Sequence, residues 1–460
     1  MTRLLVLALS VLAVLPAGAT VTEFVLDNGM KVLVKEDHRA PVVVSQVWYK
    51  VGSSYEHDGI TGVSHALEHM MFKGTKKYPD GEFSRIIAEN GGNENAFTGH
   101  DYTAYFQTLE KSRLPISLEL EADRMRNLTL PPEEFRREIE VVKEERRWRT
   151  EDRPEAFLYE TAMATAFQTS PYRQPIVGWM ADLENMTVDD LRAWYGRWYA
   201  PNNATLVVAG DVDPDTVHAL AKKHFGRLKR GKVTLPAARP EVEQNGLKEV
   251  VLKRPAEVPY LVMAWKVPAL KTALEEGGPE EWEPFALEVL AGILDGGSSA
   301  RFATRLVRGS EVAAAVSASY QIAARLDTVF VVDATPGQGV DVAQLEAAVR
   351  KEIEDVKENP VSPEELERVK AQVISSDVYE RDSVFYQAMK LGMFETVGLP
   401  WQLAEEYVDR VRAVTAEQVQ AVARKYFRDE RLTVARLDPL PMDRSAPPRR
   451  PPPSPHGDLH

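Results

Sequence analysis

The stretch from 187 to 214, TVDDLRAWYGRWYAPNNATLVVAGDVDP, changes its hydrophobic rhythm halfway. From Leu191 to Trp198 apolar residues recur every three or four positions, which predicts an amphipathic helix. The run from Leu206 to Ala209 is continuously apolar and predicts a buried strand. Thr187, three residues before Asp190, opens the helix as a capping box. The same order returns from 415 in TAEQVQAVARKYFRDERLTVARLDP. At an offset of 228, Thr187 meets Thr415, Asp189 meets Glu417, Leu191 meets Val419 and Ala193 meets Ala421, while Trp198 and Tyr199 meet Tyr426 and Phe427.

Two further pairs stand in the same order. PPEEFRREIEVVKEE from 131 matches SPEELERVKAQVISS from 362 at an offset of 231, and HALEH from 65 matches FALEV from 285 at 220. Three matches in one order imply a duplicated domain, and offsets drifting by so little imply small loop insertions. The expected division is an N-terminal domain over 20–230, a polar linker over 231–247 and a homologous C-terminal domain over 248–439. FVLDNGMKVLVKED predicts a hairpin around Asn28-Gly29, and VVVSQVWYKVGS predicts a strand leading to a helix at His65. Hairpins mixed with helices point to α+β: two homologous domains, each a mainly antiparallel sheet covered by helices. The Pro-rich end, 440–460, is expected to stay disordered.

Arg3 precedes an apolar run, Leu4 to Leu15, which ends at Pro16 and Ala17-Gly18-Ala19. This is the order of a cleaved secretory signal, assigned to 1–19. The chain has no cysteine, so neither a disulfide nor a lipidated Cys is available. Export without disulfides fits a bacterial periplasm best. The sequons at Asn127, Asn185 and Asn203 are also compatible with a eukaryotic secretory route. A net charge of −13 argues against nucleic-acid binding, which needs clustered Lys and Arg. No stretch after signal cleavage is apolar enough to span a bilayer.

Chemistry enters at HALEHMMFKGT, residues 65 to 75. His65, Glu68 and His69 share one helix face, so two imidazoles could hold a tetrahedral zinc with Glu68 beside its water. The apolar neighbours Ala66, Leu67, Met70, Met71 and Phe72 suit an ordinary buried helix equally well. A third ligand is sought in the helix from Pro132 to about Arg149. There Phe135, Ile139 and Val142 form the apolar stripe, and helix phase sets Glu138 and Glu145 beside it, with Glu133, Glu140 and Glu144 outward. An inward carboxylate is costly unless paired or metal-bound. In the second copy the two carboxylate positions are Val369 and Ser376, and the two histidine positions are Phe285 and Val289. A polar set needed by the fold would occur in both copies.

His65-x-x-Glu68-His69 followed by Glu145 resembles the inverted-zinc-motif peptidases of the pitrilysin and mitochondrial-processing-peptidase family, M16. The resemblance runs from FVLDNGMKVLV to RLTVARLDP and includes NENAFTGHDYTAYF, similar to the family's substrate-binding edge strand. It implies a zinc endopeptidase, half of a clam-shell, with one Zn2+ per chain held by His65, His69 and Glu145. Glu68 would be the base, Glu138 would support the ligands, and Asn95, Ala96, Phe97 and Thr98 would line substrate. It also implies an enclosed chamber completed by a second chain, either a homologous subunit without zinc or another copy. Family members that cleave carry an Arg and a Tyr seven apart in the second domain; those places here are Val307 and Ala314. Arg305, Arg308 or Tyr320 could serve only after a register shift; otherwise a partner supplies the pair. Two other readings stay open: a scaffold subunit with a vestigial site, and a periplasmic zinc-binding protein.

Overall fold

The structure, a computed structural model, describes residues 21–236 and 240–442. The signal assigned to 1–19 lies outside the described residues, as do 443–460 of the expected tail and 237–239 of the linker.

Strands β1 (Val21–Val25) and β2 (Lys31–Glu36) form the hairpin expected at Asn28-Gly29. Gly29 takes a φ of +86° there, and its N–H donates to the Leu26 carbonyl at 2.7 Å, closing a turn for which a side chain would be strained. β3 (Val42–Tyr49), β4 (Asn93–Thr98), β5 (Thr103–Glu110) and β6 (Ala204–Gly210) complete a six-stranded sheet in the order β1-β2-β6-β3-β5-β4. The second sheet contains β7 (Lys248–Pro255), β8 (Tyr260–Val267), β9 (Ala313–Tyr320), β10 (Thr328–Pro336) and β11 (Leu432–Leu440), in the order β7-β11-β8-β10-β9. Apart from the extra edge strand β1, the two orders are the same. Each sheet is antiparallel except where its last strand in sequence lies parallel to its first or second, β6 on β2 and β11 on β7. The α+β duplication is therefore a property of the topology as well as of the sequence.

The helices repeat too. Val188–Trp198 and Ala416–Tyr426 each carry the expected capping box, Thr187 with Asp190 and Thr415 with Gln418. Val63–Met70 and Glu283–Asp295 are equivalent, as are Pro132–Arg146 and Pro363–Asp382. β11 runs through Leu440, paired with Pro255, so the first residue of the expected tail belongs to the sheet and the domain ends one residue later than 439.

One pair of helices crosses between the halves. Leu158, Ala162 and Ala166, from the helix Pro154–Ala166, pack on Val262, Ala264 and Ala435 of the second sheet. Ala388 and Leu391, from the helix Val384–Val397, pack with Val44, Trp48 and Val207 of the first. Gly392 makes that second docking possible: a Cβ there would lie 2.1 Å from Trp48 Nε1. The two halves thus share cores.

Candidate active site

The helix Val63–Met70 is buried along its whole length. It begins at Gly62, whose φ of +87° rules out most capping side chains. Glu56 does that work from six residues upstream: its carboxylate accepts from the N–H groups of Gly62 (2.7 Å) and Ser64 (2.8 Å). Burial pushes the Glu56 carboxyl up to about 8, against the pull of these amides. No periodicity in the sequence points to Glu56.

His65 and His69 face the helix Pro132–Arg146. Nε2 of His65 stands 3.7 Å from Glu145 Oε1, and Nε2 of His69 stands 3.4 Å from Glu145 Oε2. One donor atom from each of the three residues lies within 4.8 Å of the others. Tetrahedral ligands about 2.1 Å from a zinc ion are themselves about 3.4 Å apart, so the set fits the ion. His65 has no competing engagement that would explain its burial: its Nδ1 is buried with no hydrogen-bond partner among the described residues. Burial lowers its pKa to about 4, holding the ring neutral as a ligand requires.

Around the cluster the polypeptide supplies supporting contacts. His69 Nδ1 lies 2.9 Å from Glu138 Oε1, and Glu138 Oε2 pairs with Lys73 at 2.8 Å. Burial opposes charge on His69, yet its bonds to Glu138 and Glu145 outweigh that and raise the ring to about 9. Glu145 is opposed by burial but held low by His69, His65 and Arg149. Arg149 reaches Glu145 Oε1 at 3.0 Å from a π-helical turn, Arg147–Glu151, that continues the helix. Glu138 and Glu145 are 6% and 8% exposed, whereas Glu144 is exposed and pairs with Arg147.

Glu68 lies one residue before His69, 6% exposed, and burial pushes its carboxyl up to about 7. It accepts a hydrogen bond from Thr98, at the end of β4. β4 is an edge strand, paired only with β5 among the described strands, so its outer N–H and C=O groups are not used by the sheet. Asn95 and Ala96 on it are buried and Phe97 packs on Trp48. The structure therefore brings His65, Glu68, His69, Glu138, Glu145 and Thr98 together.

It does not bring Arg305, Arg308 or Tyr320 to them. Arg305 is held by Glu352 (2.7 Å) and Asp355 (2.8 Å), Arg308 donates to the Ser298 carbonyl, and the Tyr320 hydroxyl donates to Pro268. Each is engaged within the second half.

Comparison with known proteins decides the family. The profile described as "Insulinase (Peptidase family M16)" matches residues 31–178, and that described as "Peptidase M16 inactive domain" matches 185–373. The zinc protease PqqE of Helicobacter pylori is 32% identical over 92% of this chain and 94% of its own length. The chain belongs to the M16 peptidase family. A protease from Helicobacter pylori known from its crystal structure superposes with a TM-score of 0.86 at 29% identity, over 92% of this chain and all of that one. The M16 inactive domain from Pseudomonas fluorescens shares the fold, with a TM-score of 0.81 over 91% of this chain and 98% of that chain at 18% identity. An uncharacterised zinc protease of Mycobacterium leprae is 28% identical over 94% of both chains. No helix among the described residues is long and apolar enough to cross a membrane.

Proposed function

We propose that this M16 chain is a zinc-dependent endopeptidase for peptides or unfolded segments, with His65, His69 and Glu145 holding one zinc and Glu68 acting as base. The observation that carries the reading is the buried His-His-Glu cluster with Glu68 beside it and tied to a sheet edge. When bound, zinc supplies a Lewis acid that eases deprotonation of water and polarises a peptide carbonyl. Glu68, with its carboxyl raised to about 7, takes a proton from water and returns it to the departing amine near neutral pH. Thr98 orients the Glu68 carboxylate for that exchange. A substrate segment adds as a strand on the outer edge of β4 at Asn95 to Thr98, main-chain bonds giving affinity and side chains weak preference. Glu138 fixes His69 by its Nδ1 and so keeps Nε2 toward the metal.

A partner belongs to the proposal. Val307 and Ala314 carry no polar group, and Arg305, Arg308 and Tyr320 are committed elsewhere. The chain is the catalytic subunit of a two-chain enzyme in which a homologous subunit contributes an Arg and a Tyr and closes the chamber. The second reading, a scaffold subunit weak in catalysis, draws on the same absence. Export to the periplasm, signalled by residues 1–19, is part of the reading; a structural neighbour from Escherichia coli is itself described as a periplasmic protease. The test is zinc content together with hydrolysis of an unstructured peptide. About one zinc per chain with turnover supports the peptidase; zinc without turnover, even with the homologous subunit added, favours the scaffold; no zinc removes both ligand set and mechanism.

A further inference from the structure

The two halves meet through equivalent turns. Residues 99–102 join β4 to β5, and residues 321–327 join β9 to β10. Asp101, in the first turn, is 4% exposed. Its carboxylate accepts from the Ser54 hydroxyl (2.6 Å), the Tyr172 hydroxyl, and both the backbone N–H (3.0 Å) and Nε (3.3 Å) of Arg325 in the second turn. Arg325 Nη2 donates to Ser54 Oγ (2.8 Å) and to the Ser54 carbonyl (3.3 Å), and its guanidinium lies 4.3 Å above the Tyr55 ring. The Tyr172 hydroxyl in turn accepts from the N–H groups of Arg325 (3.0 Å) and Leu326 (3.1 Å).

The same turn is pinned on its own side. Ser54 N–H donates to the His100 carbonyl at 2.8 Å, and the Ser53 hydroxyl meets His100 Nδ1 at 2.8 Å. Gly52 approaches so closely that a Cβ would fall 2.3 Å from the Gly99 carbonyl oxygen. Thr98 immediately precedes this turn and donates to Glu68. Whatever fixes Asp101 therefore fixes, three residues away, the donor that orients Glu68.

We propose that Arg325 is a positioning residue: through Asp101 it holds the 99–102 turn, and with it the Thr98–Glu68 hydrogen bond, in the working geometry. The proposal rests on the reading of Glu68 as base. It gives the second half, which lacks the ligands, a direct bearing on the site of the first. In Arg325→Ala, Asp101 keeps Ser54, Tyr172 and the backbone N–H of residue 325, so the fold persists while the turn loses the guanidinium that grips Asp101 and Ser54 from the opposite half.

The experiment compares wild type, Arg325→Ala, Arg325→Lys, Thr98→Val and the double variant Arg325→Ala/Thr98→Val, each loaded with zinc. Small displacements of a reacting group cost about 10- to 100-fold in rate. Turnover of an unstructured peptide should fall by about that much in Arg325→Ala with KM little changed, and Arg325→Lys should recover part of it. Because both residues act on one hydrogen bond, the double variant should be no slower than the slower single. Losses that multiply in the double variant, or an activity loss equal to the loss of folded protein, overturn the proposal. Amide hydrogen exchange across Thr98–Thr103 provides a readout that needs no turnover: it should quicken in Arg325→Ala and in Arg325→Lys less so. Unchanged exchange overturns the proposal even in an active enzyme. Quickened exchange in a chain that never cleaves peptide upholds the coupling and removes the peptidase reading instead. Arg325→Lys keeps the test decisive should the alanine variant not fold.

Discussion

The helices Val63–Met70 and Glu283–Asp295 hold the same place in two copies of one fold, and they differ most where chemistry would be done. The first presents His65 and His69 to Glu145; the second presents Phe285 and Val289, 2% and 0% exposed, to ordinary core neighbours. The opposing carboxylates Glu138 and Glu145 likewise give way to Val369, buried, and Ser376, exposed. A fold that closes its core with apolar residues at these places has no structural need for the polar set. The difference therefore measures function, much as a variant would, with stability held by the shared architecture.

That comparison can be broken most sharply at Glu68. Glu68→Gln keeps shape and burial but cannot accept a proton, so turnover should fall by about 10²- to 10⁴-fold with zinc retained. Near-normal turnover would transfer the base to another residue. The next variant makes the first half resemble the second: His69→Val, matching Val289, should reduce zinc to background by metal analysis while the circular dichroism spectrum stays native. Retained zinc would show that His69 is not a ligand.

A third pair tests two glutamates of one helix. Glu138→Gln loosens the hold on His69 Nδ1 and should weaken zinc binding or activity by about 10- to 100-fold in a metal titration. Glu144→Gln, at an exposed position, should stay within about 0.5 kcal/mol of wild-type stability. The reverse outcome would invert the helix phase on which Glu145 depends.

The comparison extends to stability in the second half, at Glu288, the counterpart of Glu68. It is half-buried as a residue, but its Oε2 is sealed from solvent without a hydrogen-bond partner among the described residues, and burial pushes its carboxyl up to about 7. A carboxyl raised on folding stabilises below its unfolded pKa of about 4.3, and that contribution is lost as pH rises through 7. Glu288→Gln removes this dependence. Its stability relative to wild type should rise between pH 4 and pH 8 by about 1–3 kcal/mol in urea titrations, and a flat difference would place Glu288 in contact with water.

The sequence carried the duplication, the capping boxes at Thr187 and Thr415, the hairpin at Asn28-Gly29 and the placement of Glu138 on the side of Glu145, because each is written in local spacing. It did not carry what meets what. Pro154–Ala166 and Val384–Val397 carry apolar residues all around the helix, so their sequences do not say which face is buried, still less that it is buried on the other half's sheet. Glu56 escaped for a related reason: a cap supplied from six residues upstream through an irregular loop leaves no periodic trace. For Thr98 the family resemblance implies only a place along substrate; its bond to Glu68 follows from the packing of β4 beside the His65 helix. The engagement of Arg305 with Glu352 and Asp355 depends on a helix some fifty residues away, beyond any local pattern.

The exchange of helices between the halves also bears on how the chain must be made. The first sheet is complete at Gly210, but the helix that covers Val44, Trp48 and Val207 begins at Val384, 174 residues later. At about 5–20 residues per second the ribosome needs on the order of ten seconds or more to deliver it. Throughout that interval one face of the sheet lacks its covering helix, and Trp48 has Phe97 and Tyr102 of its own half against it but not Gly392. Newly made N-terminal halves are therefore sticky by construction, and a chaperone that shields one apolar sheet face for that interval would be expected to govern the yield of active protein. Truncation before residue 384 should leave an insoluble product, and the missing helix supplied in trans should restore solubility.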